Sequence, residues 1–527
     1  MIKHYLSTTI PLGFVLFSAS LLLQGCGSGG SGSSSTSTSS TPSVTWTQGV
    51  YKGADEFFGY CLRPDDTRAQ KQGTVLHENH FIRELMNDLY LWRTDVGDVN
   101  PNTFSDPITA FYGLMSQEQT PSGKPKDLFS FAMWYDDYTQ RFVDGVELGT
   151  GAYISAANFA EADEGKPLNI TIAYVEPDSP AALAGLARGD KIIEINGQRT
   201  EDALTYSVKS EVYRSFVSPA DTSNIRLTVQ ALDASAPAEI TLAPTEVTIN
   251  PVIHSEIIDQ GSDKLGYLVF NTFTSDLVTP QLQDAFSAFS TAGVNELILD
   301  LRYNGGGQQD NAQRLAYMIA GEQNTTNKTF SRSEWNSLHP NFDPVTGELL
   351  VDEPFIGTEP DNATPLASLN LSRVIVLTTA ATCSASELVM NALRGIDIEV
   401  VQIGNTTCGK PYSFYGIQNC ELVYFPVQMQ SVNAKGFGDY ADGFSAANGL
   451  ALSNTQLPGC TVDDDLTKAL GSTDETLLAT AMYYAANGEC PAPSSAINIL
   501  NKTGSAEHST YTLYHKPWDA ITVWGIK

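Results

Sequence analysis

Residues 295–307 read NELILDLRYNGGG, an apolar run of strand length that ends in three consecutive glycines. Other runs in the same part of the chain are also strand-like: LGYLVF at 265–270, RVIVLT at 373–378 and EVVQI at 399–403. Helix-like segments separate them, at 281–289, 309–319 and 387–393. The alternation of strand and helix predicts an α/β core.

Three polar loops follow three of these strands. They read YNGGG at 303–307, TCSASE at 382–387 and GNTTCGK at 404–410. Catalytic groups gather at the carboxyl ends of strands in sheets of this kind, so the loops together form the candidate site.

The serine loop has two interpretations. Ser384 followed three residues later by Glu387, before an apolar helix, is typical of an ordinary capping box. The same position also suits acyl transfer, because first-turn N–H groups such as that of Ala385 face a developing oxyanion. Gly306, in a triplet that is equally typical of a tight turn, offers a second backbone donor.

A nucleophilic serine needs a base. The histidines beyond the N-terminal segment show no recognisable motif with the serine; they are residues 77, 80, 254, 339, 508 and 515. Lys410 is the alternative. A free lysine is protonated at neutral pH, but burial among apolar groups disfavours its charge. A lone lysine in a turn is usually only solvated, and the combination of the three loops is what favours a catalytic role.

Residues 147–245 resemble a PDZ domain. The resemblance rests on DSPAALAGL at 178–186 and GDKIIEING at 189–197, with an unrelated small β-domain as the alternative. It implies that a loop before the first long strand offers backbone N–H groups to a peptide carboxylate, while the peptide adds as a strand. That loop consists of Gly149, Thr150, Gly151 and Ala152.

The order of DLRYNGGG at 300–307, SASEL at 384–388 and GNTTCGK at 404–410 resembles the C-terminal processing, or tail-specific, serine peptidases. The likeness extends over roughly residues 80–480. It implies a multidomain α/β protein with a crotonase-like ββα core, and it implies no cofactor and no metal. The roles it implies are nucleophile for Ser384, base for Lys410, oxyanion hole for Ala385 with Gly306 or Gly307, and support for Glu387 and Thr407.

The chain departs from this family at several positions. Phe414 stands where well-studied members have a glutamine that orients the lysine, which leaves Thr407 as the candidate partner. An acidic residue is expected about eleven positions after the serine, whereas Asp397 lies somewhat further along. Cys383, directly before the serine, is unusual, and we expect it to be packed or bridged.

The N-terminus reads as a targeting segment. An apolar stretch ends in LQGC, which looks like a lipobox with Cys26 as the lipidated residue; an ordinary secretory signal is the alternative. Cys26 is followed by Gly27 and not by Asp. By resemblance to lipoprotein sorting in bacteria with two membranes, this favours the outer membrane, so we expect a cell-envelope lipoprotein facing the periplasm or the exterior. Six further cysteines then permit up to three disulfides. We favour Cys408–Cys420 and Cys460–Cys490.

The predicted organisation has six parts: a lipoprotein signal at 1–26, a Gly/Ser/Thr linker at 27–46, a helical N-terminal domain at 47–143, a PDZ domain at 147–245, a peptidase core at 250–460 and an extension packed on the core at 461–527. In the extension we expect a short helix capped by Asp463–Asp465, a helix at 477–486 and a strand at 518–524. CxxC and HExxH patterns are absent, so the sequence gives no support for a zinc site.

Composition limits the partners. The chain of 527 residues carries a formal net charge of −30, which argues against nucleic acid and against an anionic membrane surface as the main ligand. The leading interpretation is an envelope serine endopeptidase that captures extended C-terminal protein tails, with any adaptor protein unspecified. The alternative is a non-catalytic scaffold that binds C-termini. A lipid or ester hydrolase is disfavoured because a Gly-x-Ser-x-Gly elbow is missing.

Overall fold

The structure is a computed structural model that describes residues 41–139, 147–159, 163–217, 223–450, 452–492 and 512–513. Cys26, the signal segment, most of the linker and the predicted strand at 518–524 lie outside the described residues. Within them, the helices are too short or too polar to cross a membrane.

The N-terminal unit is built around one amphipathic helix. Phe81, Ile82, Leu85 and Leu89 are buried at helical spacing, and the helix ends where Tyr90 turns extended. The elements are β1 Tyr60–Cys61, β2 Lys71–Gln72, α1 Val75–Leu89, α2 Pro107–Gly113, β3 Phe131–Trp134 and α3 Tyr135–Tyr138, with single 3-10 turns at Ala54–Glu56, Asp66–Arg68 and Pro101–Thr103.

The second unit is an antiparallel sheet closed by two helices. Asn196 and Gly197 both have positive φ and form the turn between two of its strands, as the Asn-Gly pair predicts. The elements are β4 Glu147–Gly149, β5 Ala152–Ala157, β6 Asn169–Val175, α4 Pro180–Leu183, β7 Lys191–Ile195, β8 Gln198–Arg199, α5 Tyr206–Val217, β9 Ile225–Gln230, β10 Ala238–Leu242 and β11 Thr245–Val247, with a 3-10 turn at Thr200–Asp202.

The third unit is a mixed sheet with helices on both faces. Its elements are β12 Val252–Gln260, β13 Asp263–Phe270, α6 Val278–Ala292, β14 Glu296–Asp300, α7 Gln309–Thr325, β15 Thr329–Trp335, β16 Glu353–Pro354, β17 Arg373–Thr378, α8 Ala385–Gly395, β18 Glu399–Gly404, β19 Tyr412–Ser413, β20 Ile417–Asn419, β21 Leu422–Phe425, β22 Met429–Val432, β23 Ser445–Ala446, β24 Gln456–Leu457, β25 Gly459–Cys460 and α9 Thr476–Asn487. The last strand along the chain, β26 Thr512–Leu513, belongs to the sheet of the second unit, where it pairs with β5.

The central sheet has the order β12-β13-β14-β17-β18-β25, and the pairs from β13 to β25 are parallel. Alternate strand residues face opposite layers: Leu299 packs with α6, α7 and α8, while Ile298 packs with α9. Because both faces are covered, these strands are apolar at nearly every position, and this pattern made them readable from the sequence.

The units are not separate bodies. β3 pairs antiparallel with β21 of the core, and Phe81 shares one cluster with Tyr424. The prediction of a mainly helical N-terminal domain is therefore incomplete, because one of its strands completes a core sheet. α9 packs on the central sheet, with Leu477 and Leu478 in one cluster with Ile298.

Two predictions about the C-terminal half need correction. The helix expected after Asp463–Asp465 is absent among residues 461–470, which form bends and turns around the half-buried carboxylate of Asp464. The predicted Cys408–Cys420 disulfide is wrong: β19, which lies between the two cysteines, pairs with β22 and not with β20, the strand that ends just before Cys420. Cys420 is bonded to Cys61 and Cys408 to Cys383, whereas the predicted Cys460–Cys490 bridge is confirmed.

Candidate active site

The three loops predicted to form a site do meet at the carboxyl edge of the parallel sheet. They surround an open cleft with about 280 Å³ of empty space. The residues that line it are Gly307, Gln309, Ser384, Ala385, Leu388, Lys410, Pro411, Tyr412, Ser413, Ser431 and Tyr440.

Ser384 lies directly before α8, at the N-terminal end of the helix dipole. Its backbone has φ 56° and ψ −114°, a conformation that costs energy for a residue with a side chain. The surrounding contacts hold it there: its N–H donates to Glu387 Oε2 at 3.0 Å. A strained residue at the entrance to a cleft is a common feature of functional sites.

The glycine loop lies against the serine loop so closely that a side chain would not fit. A Cβ added to Gly306, which has φ 106°, would come within 2.8 Å of both Ala385 N and Ser384 Cβ. The Gly306 N–H donates to Asn304 Oδ1 at 2.9 Å, whereas Gly307 lines the cleft beside Ala385. Of the two glycines considered as oxyanion donors, Gly307 is therefore the better placed.

Asn304 joins the glycine loop to the serine loop. Its carbonyl oxygen accepts hydrogen bonds from Cys383 N–H at 3.0 Å and from the Ser386 hydroxyl at 2.8 Å. Asn304 is fully buried. The buried carbonyl group of Asn304 thus holds the two loops together. The sequence did not indicate this contact.

Glu387 connects the serine loop to the lysine loop. Its Oε2 accepts the N–H groups of Ser384 at 3.0 Å and of Lys410 at 2.8 Å. Its Oε1 accepts the Gly409 N–H at 2.8 Å and the Thr407 hydroxyl at 2.5 Å. Burial raises the pKa of the Glu387 carboxyl, although these donors oppose the shift. The capping-box carboxylate therefore also fixes the backbone of Lys410.

Lys410 is 6% exposed and lies between two aromatic rings. Its Nζ is 4.2 Å from the ring centroid of Phe414 and 5.6 Å from that of Phe129. Ring faces attract a cation, and their bulk limits where the amine can move. Phe414 thus contacts the lysine from the position where a glutamine was expected. Phe129, from the N-terminal unit, was not identified from the sequence.

Two other sequence candidates have different positions. The Thr407 hydroxyl donates to Glu387 and accepts the Phe444 N–H at 2.8 Å, so it supports the lysine loop through the carboxylate. Asp397 lies on the surface, its side chain 84% exposed and paired with Lys435 at 2.6 Å. Asp397 is not part of the cleft.

The Cys383–Cys408 disulfide adds a covalent link between the serine and lysine loops. In the described part of the chain, these two sulfurs and a Glu387 oxygen form the one grouping with the spacing of metal ligands, and both sulfurs are bridged. The described histidines, at 77, 80, 254 and 339, are not among the residues that line the cleft.

A second cleft contains the predicted peptide-binding loop. It is lined by Gly149, Thr150, Gly151, Ala152, Tyr153, Phe216, Val217, Val247 and Ile249, so the loop faces the end of α5. Beside it, β26 pairs antiparallel with β5, with Leu513 opposite Ser155. This edge of the sheet therefore accepts an added strand, here from the same chain.

A buried ion network joins the second unit to the core. Arg302 contacts Asp300 at 2.7 Å, Glu475 at 2.9 Å and Asp464 at 2.8 Å. Arg188 contacts the same Asp464 at 2.6 Å and also donates to the hydroxyl of Tyr303, at the start of the glycine loop. Asp464, expected to cap a helix, is instead the carboxylate that two arginines share.

Comparison with known proteins agrees with this architecture. Residues 264–414 match the model described as Peptidase family S41, residues 77–131 match Peptidase S41 N-terminal domain, and residues 171–230 match PDZ domain. The chain therefore carries a peptidase domain of family S41 together with that family's N-terminal domain and a PDZ domain.

Curated relatives and one solved structure are similar to this chain. The chloroplastic C-terminal processing peptidase of Tetradesmus obliquus is 27% identical over 52% of this chain and 56% of its own length. The carboxyl-terminal-processing protease of Picosynechococcus sp. is 24% identical over 44% and 49%. The chain thus spans about half the length of these relatives. A crystal structure described as "Putative S41 protease from Bacteroides fragilis" is 28% identical, with a TM-score of 0.58 over 77% of this chain and 97% of that one.

Proposed function

We propose that this protein is a serine endopeptidase of the cell envelope that cleaves proteins near their C-terminal tails with a Ser384–Lys410 dyad. One observation carries the proposal: Ser384 and Lys410 line the same cleft, and their backbones are tied to one buried carboxylate. The names of the relatives, which are carboxyl-terminal-processing proteases, support the same reaction class.

In the proposed mechanism, Ser384 Oγ attacks the scissile carbonyl carbon while Lys410 Nζ takes the hydroxyl proton. The carbonyl oxygen becomes an oxyanion that the N–H groups of Ala385 and Gly307 stabilise. The C–N bond then breaks as Lys410 returns the proton to the leaving amine. Water hydrolyses the acyl-enzyme by the same route. Burial of Lys410 supports its role as base, because removal from water disfavours the ammonium form of a lysine.

The peptide-binding loop at Gly149–Ala152 supplies substrate capture in this proposal. A C-terminal carboxylate meets the loop N–H groups, and the tail adds as a strand to β5. The antiparallel pairing of β5 with β26 supports the idea, because it uses the same backbone edge. Lipidation at Cys26 in the outer membrane, facing the periplasm or the exterior, is proposed from the LQGC sequence alone.

The test uses an unfolded protein that ends in an apolar tail. Wild type should cleave it, while Ser384→Ala and Lys410→Ala should lose cleavage by more than about 10³-fold. Binding of the tail should survive in both variants, because the binding loop is untouched. Equal cleavage by Ser384→Ala would refute the dyad. Tail binding without cleavage by wild type would support the non-catalytic scaffold instead.

A further inference from the structure

The Cys383–Cys408 disulfide joins the two loops that carry the proposed nucleophile and base. Cys383 directly precedes Ser384, and Cys408 lies two residues before Lys410. The bridge therefore connects the end of β17 to the end of β18 at the point where the two reactive side chains must be held at a fixed separation.

The bridge works beside a second, non-covalent connection. The Glu387 carboxylate accepts N–H groups from both Ser384 and Lys410, and one of its oxygens lies within 4.8 Å of both sulfurs. Opening the bridge would leave the loops joined by hydrogen bonds alone. The protein would stay folded, but the separation between Ser384 and Lys410 would be less closely fixed.

Among the described disulfides, this is the bridge in which neither cysteine is buried. Cys61, Cys420 and Cys460 are buried, so each of the other two bridges contains at least one enclosed sulfur. Cys383 and Cys408 are both half-buried. Thiol–disulfide exchange requires a thiolate to reach a sulfur, so exposure favours reaction at this bridge.

We propose that Cys383–Cys408 is a positioning element for the Ser384–Lys410 dyad, and that a dithiol reductant switches the peptidase off by opening it. This inference rests on the proposed function. One thiolate of the reductant attacks a bridge sulfur and the S–S bond breaks to form a mixed disulfide. The second thiolate of the reductant resolves it, leaving two cysteine thiols and the oxidised, disulfide form of the reductant. Two electrons pass to the protein, and reoxidation reverses the step.

The expected effect is on turnover rather than on substrate capture. A displacement of about 1 Å between reacting groups costs up to roughly 10²-fold in rate. Because Glu387 still holds both loops, we expect kcat to fall about ten- to hundred-fold. The KM for a tailed substrate should change little, since the Gly149–Ala152 loop is not connected to the bridge.

The chain offers a matched control for this test. Cys383–Cys408 and Cys460–Cys490 close segments with sequence separations of 25 and 30, so their effects on the unfolded chain are nearly equal. Cys383→Ala/Cys408→Ala and Cys460→Ala/Cys490→Ala should lower Tm to a similar extent. Only the first pair should lower kcat when both are assayed well below Tm. Equal kcat in the two double variants would overturn the proposal.

A second measurement uses the full chain without relying on substitutions in the loops. Cys61, Cys420, Cys460 and Cys490 are replaced by alanine, and the remaining bridge is titrated with dithiothreitol in the presence of EDTA. EDTA prevents a metal ion from binding the freed sulfurs beside Glu387. Loss of kcat should track the fraction of Cys383 and Cys408 that is alkylated in samples withdrawn for mass spectrometry. Reoxidation of the protein that was not alkylated should restore kcat.

The outcomes separate this inference from the proposed function. If the oxidised wild type does not cleave the tailed substrate, the proposed function fails and the inference fails with it. If wild type cleaves and the reduced, fully alkylated protein cleaves with the same kcat, only the redox inference is overturned. Loss of activity that reoxidation does not recover would also count against a reversible switch.

Discussion

Two buried polar networks hold the parts of the candidate site together, and they differ in what faces their carboxylates. Glu387 faces backbone N–H groups and one hydroxyl. Asp464 faces the guanidinium groups of Arg302 and Arg188. The first network joins two loops within the core. The second joins the PDZ domain, the glycine loop and the C-terminal extension.

For this reason the pKa values of the two carboxyl groups shift in opposite directions. Burial raises the pKa of Glu387, and its neutral donors only reduce the shift. Burial also acts on Asp464, but the charges of Arg302 and Arg188 outweigh it and hold that pKa below its usual value. The neutral donors around Glu387 thus position the loops that carry them. The arginines around Asp464 make the stability of the fold depend on the charge of that carboxylate.

The largest expected effect is on the ionic network. Arg302→Met leaves the carboxylates of Asp300, Asp464 and Glu475 without their shared cation, so the free energy of unfolding should fall by about 3–5 kcal/mol. Urea denaturation measures this. Arg332→Met is the control, since the exposed pair of Arg332 with Glu334 is worth at most about 1 kcal/mol. If both variants lost a similar amount of unfolding free energy, the buried network would contribute no more to stability than an exposed ion pair.

The neutral network should affect rate more than stability. Glu387→Gln places an amide NH₂ against backbone donors, which should cost about 1–3 kcal/mol of unfolding free energy. Because both loops shift, kcat/KM should fall by roughly 10²-fold. Glu399→Gln, at an exposed position at the start of β18, should leave both quantities nearly unchanged. A folded Glu387→Gln protein with normal kcat/KM would contradict the role given to this carboxylate.

The two networks should also respond oppositely to pH. The Asp464 carboxyl, with its lowered folded pKa, contributes stability above its unfolded pKa of about 3.9 and loses it as pH falls through the folded pKa. The Glu387 carboxyl, with its raised folded pKa, contributes most below about pH 4.3 and loses that contribution as pH rises through the folded pKa.

Urea midpoints between pH 3 and pH 7 test this difference. The stability gap between wild type and Asp464→Asn should narrow as pH falls, while the gap between wild type and Glu387→Gln should widen. Using gaps cancels the titration of the remaining groups. If both stability differences changed with pH in the same direction, the proposed difference between charged and neutral partners of the two carboxylates would be wrong.

The smallest expected effect concerns the PDZ groove. Ending the chain after residue 492 removes the strand Thr512–Leu513 that pairs with β5 but keeps Arg188, Asp464 and Cys490. The ionic network therefore stays complete while the β5 edge is uncovered. A tailed peptide should bind a few-fold more tightly, measured by calorimetry on Ser384→Ala protein. Unchanged affinity would show that β26 does not compete for this edge.

The sequence predicted the strands and loops of the core because its parallel strands are buried on both faces and therefore apolar throughout. It also placed Ser384 and Lys410 in one site, and both line the same cleft. It missed Phe129 and the Cys61–Cys420 bridge, whose partners are 359 residues apart, because contacts between distant segments leave no local pattern.

Local rules failed where a tertiary partner outweighed them. An acidic run before an apolar segment usually caps a helix, yet the arginines of two other segments draw Asp464 into the interior and the helix does not form. Ser384 shows the opposite case. Its capping-box pattern with Glu387 is real, and the same carboxylate also reaches the lysine loop, which the local pattern could not reveal.

The central claim is that Ser384 is a nucleophile activated by Lys410. The most direct measurement is labelling of the full chain with a fluorophosphonate, read by intact mass and peptide mapping across pH 6 to 10. Wild type should gain one adduct on Ser384, while Lys410→Ala and Ser384→Ala should gain none at that residue. Equal labelling of Ser384 in wild type and Lys410→Ala would contradict the dyad, whatever the cleavage assays show.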